Sequence, residues 1–138
     1  MVKTKIMKNR NELKVFVVDD SPMCRFLYKR HLMNLGFRKI YLFESGEQCL
    51  ANIHIMPDII LLDFDAPPMN GLDVLKEVKV LYPHIHLLMI SAQQDIQIVI
   101  EAIRYGVSGY IMKDDNQLEM VSYATEKIIS ENRFLFAS

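Results

Sequence analysis

Hydrophobic residues in this chain follow two rhythms that alternate five times. The first is a short, continuously apolar run, as in Val15-Phe16-Val17-Val18, Ile59-Ile60-Leu61-Leu62 and Leu87-Leu88-Met89-Ile90. Runs of this kind predict strands at about 14–18, 39–43, 58–63, 85–90 and 109–112. Because they do not alternate with polar residues, both of their faces must be covered, as in a parallel sheet. The second rhythm has a helical period and is bounded by caps and breakers. Ser21-Pro22 opens a helix that Gly36 ends, and Ser45 opens another over 45–53 before Pro57. Asn70-Gly71 starts a third, which Pro83 keeps from continuing. A fourth over 95–105 stops at Gly106, and a fifth is expected over 115–132. The pattern predicts an α/β protein with a doubly wound, five-stranded parallel sheet.

The fourth helix carries a further expectation. At about 100° per residue, Ile96, Val99, Ile100 and Ile103 share a face that should rest on the sheet. Ile98 and Tyr105 would then point outward, beside Gln94 and Glu101. An outward Ile and Tyr are either ordinary surface exposure or part of an interface, and both readings stand.

Composition narrows the classes. The chain has 138 residues, 51% hydrophobic and 24% charged, with a formal charge of −1, so it has no general attraction for nucleic acid or anionic membrane. The length suits one domain, expected over 12–134 behind a flexible extension over 1–11, with no output domain attached. Lys3, Lys5, Lys8 and Arg10 are expected in a solvated tail. No run approaches the ~18 apolar residues of a membrane span, and the N-terminus lacks the core of a signal peptide, which predicts a cytoplasmic protein. Cys24 and Cys49 have no metal-ligand spacing and read as small buried hydrophobes without a disulfide. The four histidines and nine methionines read as packing or surface residues.

The chemistry gathers at strand ends. Asp19-Asp20 follow the first run, Asp63 the third, Ser91 the fourth, and Lys113 follows Tyr110-Ile111-Met112. Ligands of doubly wound sheets bind outside the carboxyl ends of the strands, so these groups should converge there. Crowded carboxylates repel one another and call for a hard cation, for which Mg²⁺ is the natural choice. Asp63, projecting from mid-sheet, is the candidate nucleophile for a phosphoryl group, with Ser91 and Lys113 as ligands for its oxygens.

At these residues the chain resembles the receiver domain of bacterial two-component response regulators, over almost its whole length. The motifs are Val17-Val18-Asp19-Asp20-Ser21, Asp63-Phe64-Asp65-Ala66-Pro67-Pro68-Met69-Asn70-Gly71, Ser91-Ala92 and Gly109-Tyr110-Ile111-Met112-Lys113. In motif style it is closest to receivers usually fused to helix-turn-helix DNA-binding domains. The resemblance implies a flavodoxin-like (βα)5 fold with strand order 2-1-3-4-5. It also implies that Asp63 is phosphorylated, and that Asp19, Asp20, Asp63 and the Asp65 carbonyl hold Mg²⁺. Ser91 becomes a switch hydroxyl, Lys113 the phosphate-binding cation and Tyr110 an aromatic that changes rotamer, although simple packing accounts for Tyr110 as well. The implied donor is a sensor histidine kinase or a histidine phosphotransfer protein. The implied partner face is helix four, strand five and helix five, with Ile98, Tyr105 and Tyr110, used by a target or a second copy.

Two positions depart from the family pattern. Asp114 follows Lys113 where many receivers have proline after a cis bond, so this loop is expected to be either trans or strained. Asp65 adds a carboxylate two residues past the nucleophile, which predicts an altered lifetime of the phosphorylated state. Two rival functions remain. Asp63-Phe64-Asp65 after a strand also fits a phosphohydrolase of the haloacid-dehalogenase type, for which the chain is short. The fold could also serve as an unphosphorylated interaction scaffold, against which the intact acidic site argues. On the leading reading the protein catalyses only its own modification.

Overall fold

The computed structural model describes residues 9–92 and 95–137. Strands β1 (Lys14–Val18), β2 (Lys39–Phe43), β3 (Ile59–Asp63), β4 (His86–Ser91) and β5 (Gly109–Met112) are each followed by a helix. The helices are α1 (Pro22–Asn34), α2 (Gly46–Ala51), α3 (Gly71–Leu81), α4 (Ile96–Arg104) and α5 (Gln117–Ala137). Every pairing is parallel and the order is β2-β1-β3-β4-β5, the doubly wound arrangement predicted above.

Between their polar ends the central strands are continuously apolar, as in Val15–Val18, Ile59–Leu62 and Leu87–Ile90, because each face meets a helical layer. Val15, Val17, Ile59, Leu61, Leu88 and Ile90 pack with Tyr28 and Leu32 of α1 and Val121 and Ile128 of α5. Their neighbours Phe16, Val18, Ile60, Leu62, Leu87 and Met89 pack with Leu72, Leu75 and Val78 of α3 and Ala102 of α4. Each such side chain contributes about 1.5–3 kcal/mol by leaving water.

The helix starts follow their caps. The Ser21 and Ser45 hydroxyls accept from the N–H groups of Cys24 and Gln48, and the Asn70 and Asp95 side chains accept from those of Asp73 and Gln97. α1 is capped at Leu35 and stopped by Gly36 just beyond it, whose φ of 106° favours glycine. α2 is shorter than expected: it ends at Ala51, and a 3-10 turn over Ile53–Ile55 follows. α5 begins later than expected because residues 114–116 form a turn, with the Asn116 N–H bonded to Asp114 Oδ1 at 2.8 Å.

Two expectations are corrected. α4 is rotated relative to the predicted face: Ala102 is fully buried and Ile98 packs on the core, while Ile96 (63%), Ile100 and Ile103 (64%) are exposed. The small Ala102 side chain allows a close approach to the sheet, a matter of size that counting apolar positions misses. Gln94, expected beside this face, lies outside the described residues. At the N-terminus residues 1–8 are likewise outside them, but Arg10 is docked rather than solvated. Its guanidinium lies 5.7 Å from the centre of the Phe37 ring and pairs with Glu126 of α5. Both cysteines are free; Cys49 is buried, which pushes its thiol up to about 12, whereas Cys24 is only half-buried.

Candidate functional site

Parallel register brings the strand-end residues into one row. Val18 pairs with Leu62, so Asp19 and Asp63 emerge side by side from β1 and β3. Asp63 itself pairs with Ile90, and Ser91 pairs with Met112, which delivers Ser91 and Lys113 from β4 and β5 to the same edge. Asp19, Asp63 and Ser91 are buried, at 1%, 3% and 0% exposure, and Asp20 is exposed at the mouth. Carboxylate oxygens of Asp19, Asp20 and Asp63 lie within 4.8 Å of one another.

Electrostatics follow from this crowding. The Lys113 Nζ sits 3.0 Å from Asp63 Oδ1, which also receives the Asp65 N–H at 3.3 Å. Burial works against the Lys113 ammonium, but its bond to Asp63 and the nearby Asp19 charge hold it above its ordinary range. Asp19 is also shifted upward, chiefly by burial and then by Asp63 and Asp20; the Ser21 N–H and Lys113 oppose the shift. Asp19 Oδ1 accepts the Ser21 N–H at 2.9 Å, yet its buried Oδ2 has no hydrogen-bond partner among the described residues. An orphaned carboxylate oxygen beside two further carboxylates fits a hard, oxygen-seeking divalent cation such as Mg²⁺.

The surrounding backbone is closely fitted. The Phe64 N–H bonds the Ile90 carbonyl at 2.8 Å, and the Gly71 N–H returns to the Phe64 carbonyl at 2.9 Å. A Cβ at Gly71 would stand 2.4 Å from Met89 Sδ and 3.0 Å from Phe64 Cα, so glycine permits this closure. The Asp65 side chain is exposed. Among the described residues the cis peptide bond is Pro67–Pro68, and Lys113–Asp114 is trans.

The residues expected to share a partner face are less uniform. Tyr110 packs on the core beside Ala102 and Met89, with its hydroxyl buried and unpartnered among the described residues. Tyr105 is exposed, with Lys76 Nζ 4.9 Å from its ring centre, whereas Ile98 faces inward. The apolar surface of α4 is instead Ile96, Ile100 and Ile103. A groove lined by Tyr110, Met120, Tyr123 and Lys127 runs between β5 and α5. Sequence reasoning also missed two supports of the site. Arg25 Nη1 donates to the Asp19 carbonyl at 2.7 Å, and Tyr28 accepts from Gln117 Nε2 at 3.0 Å. Only the position of Arg25 one turn into α1 hinted at the first.

Comparison with known proteins converges on one family. The profile of the response regulator receiver domain matches residues 15–125. The chain is 30% identical over 113 residues to the chemotaxis protein CheY of Bacillus subtilis, covering 79% of this chain and 94% of that one. It is 34% identical over 98 residues to the regulatory protein LuxO of Vibrio vulnificus, spanning 70% of this chain but 21% of that protein. With the glycerol metabolism activator of Pseudomonas putida it shares 32% identity over 126 residues, covering 88% of this chain and 56% of the relative. In fold it is similar to the CheY-like receiver domain protein of Methanospirillum hungatei, with a TM-score of 0.79, 23% identity and coverage of 88% and 98%.

Proposed function

Since this chain belongs to the response regulator receiver family, whose members are phosphorylation-dependent switches, we propose that it accepts a phosphoryl group on Asp63 from a phosphohistidine, with Mg²⁺. The donor is a sensor histidine kinase or a phosphotransfer protein. The single observation that carries this reading is a buried Asp63 carboxylate 3.0 Å from the Lys113 ammonium, with Asp19 and Asp20 within 4.8 Å.

The chain's own residues divide the work. Both hydrogen bonds described for Asp63 fall on Oδ1, which leaves Oδ2 to attack phosphorus. As the new O–P bond forms, the donor's P–N bond breaks and its electron pair returns to the imidazole. Asp19, Asp20, Asp63 and the Asp65 carbonyl would hold Mg²⁺, which would offset the negative charge of the carboxylates and the phosphoryl group. Lys113 exchanges part of its contact with Asp63 for a phosphoryl oxygen, and Ser91 donates its hydroxyl to another.

The output is a change of population. A phosphoryl group adds about two negative charges and three strong acceptors, which favours the arrangement in which Ser91 and Lys113 close on it. The Tyr110 hydroxyl, unpartnered among the described residues, supports its role as the aromatic that answers this closure, since no hydrogen bond to those residues is forfeited when it leaves its buried site. The exposed isoleucines of α4 and the groove beside Tyr110 form the face read by a target or a second copy.

Intact mass spectrometry with acetyl phosphate and Mg²⁺ tests the reading. One phosphoryl adduct is expected, absent in Asp63→Asn and absent when Mg²⁺ is chelated. An adduct that persists in Asp63→Asn would refute the assignment, and steady release of phosphate from ester substrates would favour the hydrolase.

A further inference from the structure

Tyr28 lies on the inner face of α1, 2% exposed, in the apolar layer formed with Val17, Ile90 and Ile111. Packing alone does not call for its hydroxyl, because phenylalanine fills the same space. The hydroxyl accepts a hydrogen bond from Gln117 Nε2 at 3.0 Å. Burial, with the Asp19 and Asp63 charges, holds the phenol far above its ordinary range, so it remains a neutral hydroxyl beside the acidic pocket.

Gln117 is the first residue of α5, at the end of the short turn that begins at Lys113. Within that turn the described hydrogen bonds are local: the Asn116 N–H to Asp114 Oδ1 at 2.8 Å and the Gln117 N–H to the Asp114 carbonyl at 3.2 Å. Besides the pairing of the Lys113 ammonium with Asp63, its ends are tied to the body of the protein by two hydrogen bonds. The Lys113 N–H bonds the Ser91 carbonyl at 2.9 Å, and the Gln117 side chain bonds Tyr28. Apart from the ion pair it delivers, the segment is held between one backbone tether and one side-chain tether. Lysine has about 2 kcal/mol of rotamer entropy to lose, so the placement of its Cα governs how often its ammonium reaches the site.

We propose that Tyr28 is a positioning residue: through Gln117 it fixes the turn that carries Lys113, and so holds the ammonium where the transferred phosphoryl group is bound. The inference rests on the role of Lys113 given above. Beyond its first turn, α5 has contacts of its own. Farther along the same seam His31 Nε2 and Ser122 Oγ lie 2.7 Å apart, and Arg10 pairs with Glu126. The link is thus separable from the fold.

Tyr28→Phe, Gln117→Met and the double variant test it, each read in two ways. The first is the rate of Asp63 phosphorylation by acetyl phosphate. Each single variant is expected to slow it by about threefold to tenfold, the effect of one lost neutral hydrogen bond, and the double variant by no more. The second is amide hydrogen exchange in the unphosphorylated protein, expected to rise at residues 114–117 and to stay unchanged in β1 and β3. Unchanged rates and exchange in both single variants overturn the proposal. So do losses that multiply in the double variant, the sign of two unrelated effects. If Tyr28→Phe fails to fold, Gln117→Met reads the same bond from its half-buried end. A wild-type chain that takes no phosphoryl group counts against the function proposed above, and exchange at 114–117 then decides the positioning role alone.

Discussion

Replacing Lys113 with methionine keeps most of its apolar stem and removes the ammonium 3.0 Å from Asp63 Oδ1. Three carboxylates with oxygens within 4.8 Å then share a pocket without their cation, and two of them are almost sealed from water. A hydrogen bond to a charged group is worth about 1.5–3 kcal/mol, and breaking a fully buried pair costs about 3–5 kcal/mol. The Lys113 side chain is 27% exposed, so solvent screens part of its charge. The expected loss is therefore about 2–3 kcal/mol in metal-free buffer, or about 6–15 °C in Tm for a domain of this size. Urea unfolding with a chelator present measures it in the wild type, Lys113→Met, Asp63→Asn and the double variant. Asparagine removes the charge that Lys113 offsets, so the methionine substitution should cost less than about 1 kcal/mol in that background. Mg²⁺ binds the native state and should recover much of the loss in Lys113→Met. An equal cost in both backgrounds would refute the reasoning, because the lysine would then be stabilising something other than Asp63.

Two further outcomes follow from burial and charge. Asp19 titrates above its ordinary value of 3.8 in the folded chain, so its charge destabilises the fold fully at neutral pH. As pH falls through the raised value, the folded state takes up the proton first and the penalty fades. Asp19→Asn should accordingly raise the metal-free Tm at neutral pH, with the gain shrinking toward 3.8; a lower Tm at neutral pH would contradict this. On α4, Ile98→Glu should cost about 2–4 kcal/mol in urea unfolding and Ile103→Glu no more than about 0.5 kcal/mol, with the reverse order restoring the face read from periodicity.

The strands were legible because a sheet covered on both faces leaves no polar positions inside them, as in the run Ile59-Ile60-Leu61-Leu62 that precedes Asp63. The site was legible for a related reason. Asp19, Asp63, Ser91 and Lys113 stand where apolar runs stop, and parallel register turns that shared position into one row. What escaped was decided by size or by distant pairing. α4 carries apolar residues on more than one face, and the fit of Ala102 selected its rotation. Tyr28 and Gln117 meet across α1 and α5, and neither residue looks unusual in its own helix. Arg10 was assigned to a tail by its charge, yet its place is set by the face of Phe37.

The position of β5 has a consequence for how the protein is made. Among the described residues β5 is an edge strand, paired to β4 alone, and it is the fifth of five strands in chain order. A ribosome therefore releases the acids of β1 and β3 well before the lysine that offsets them. The partly synthesised chain holds an uncompensated cluster of carboxylates, which disfavours closing the central strands until β5 arrives. Completion of the pocket and completion of the five-stranded sheet thus fall together, because Lys113 directly follows β5.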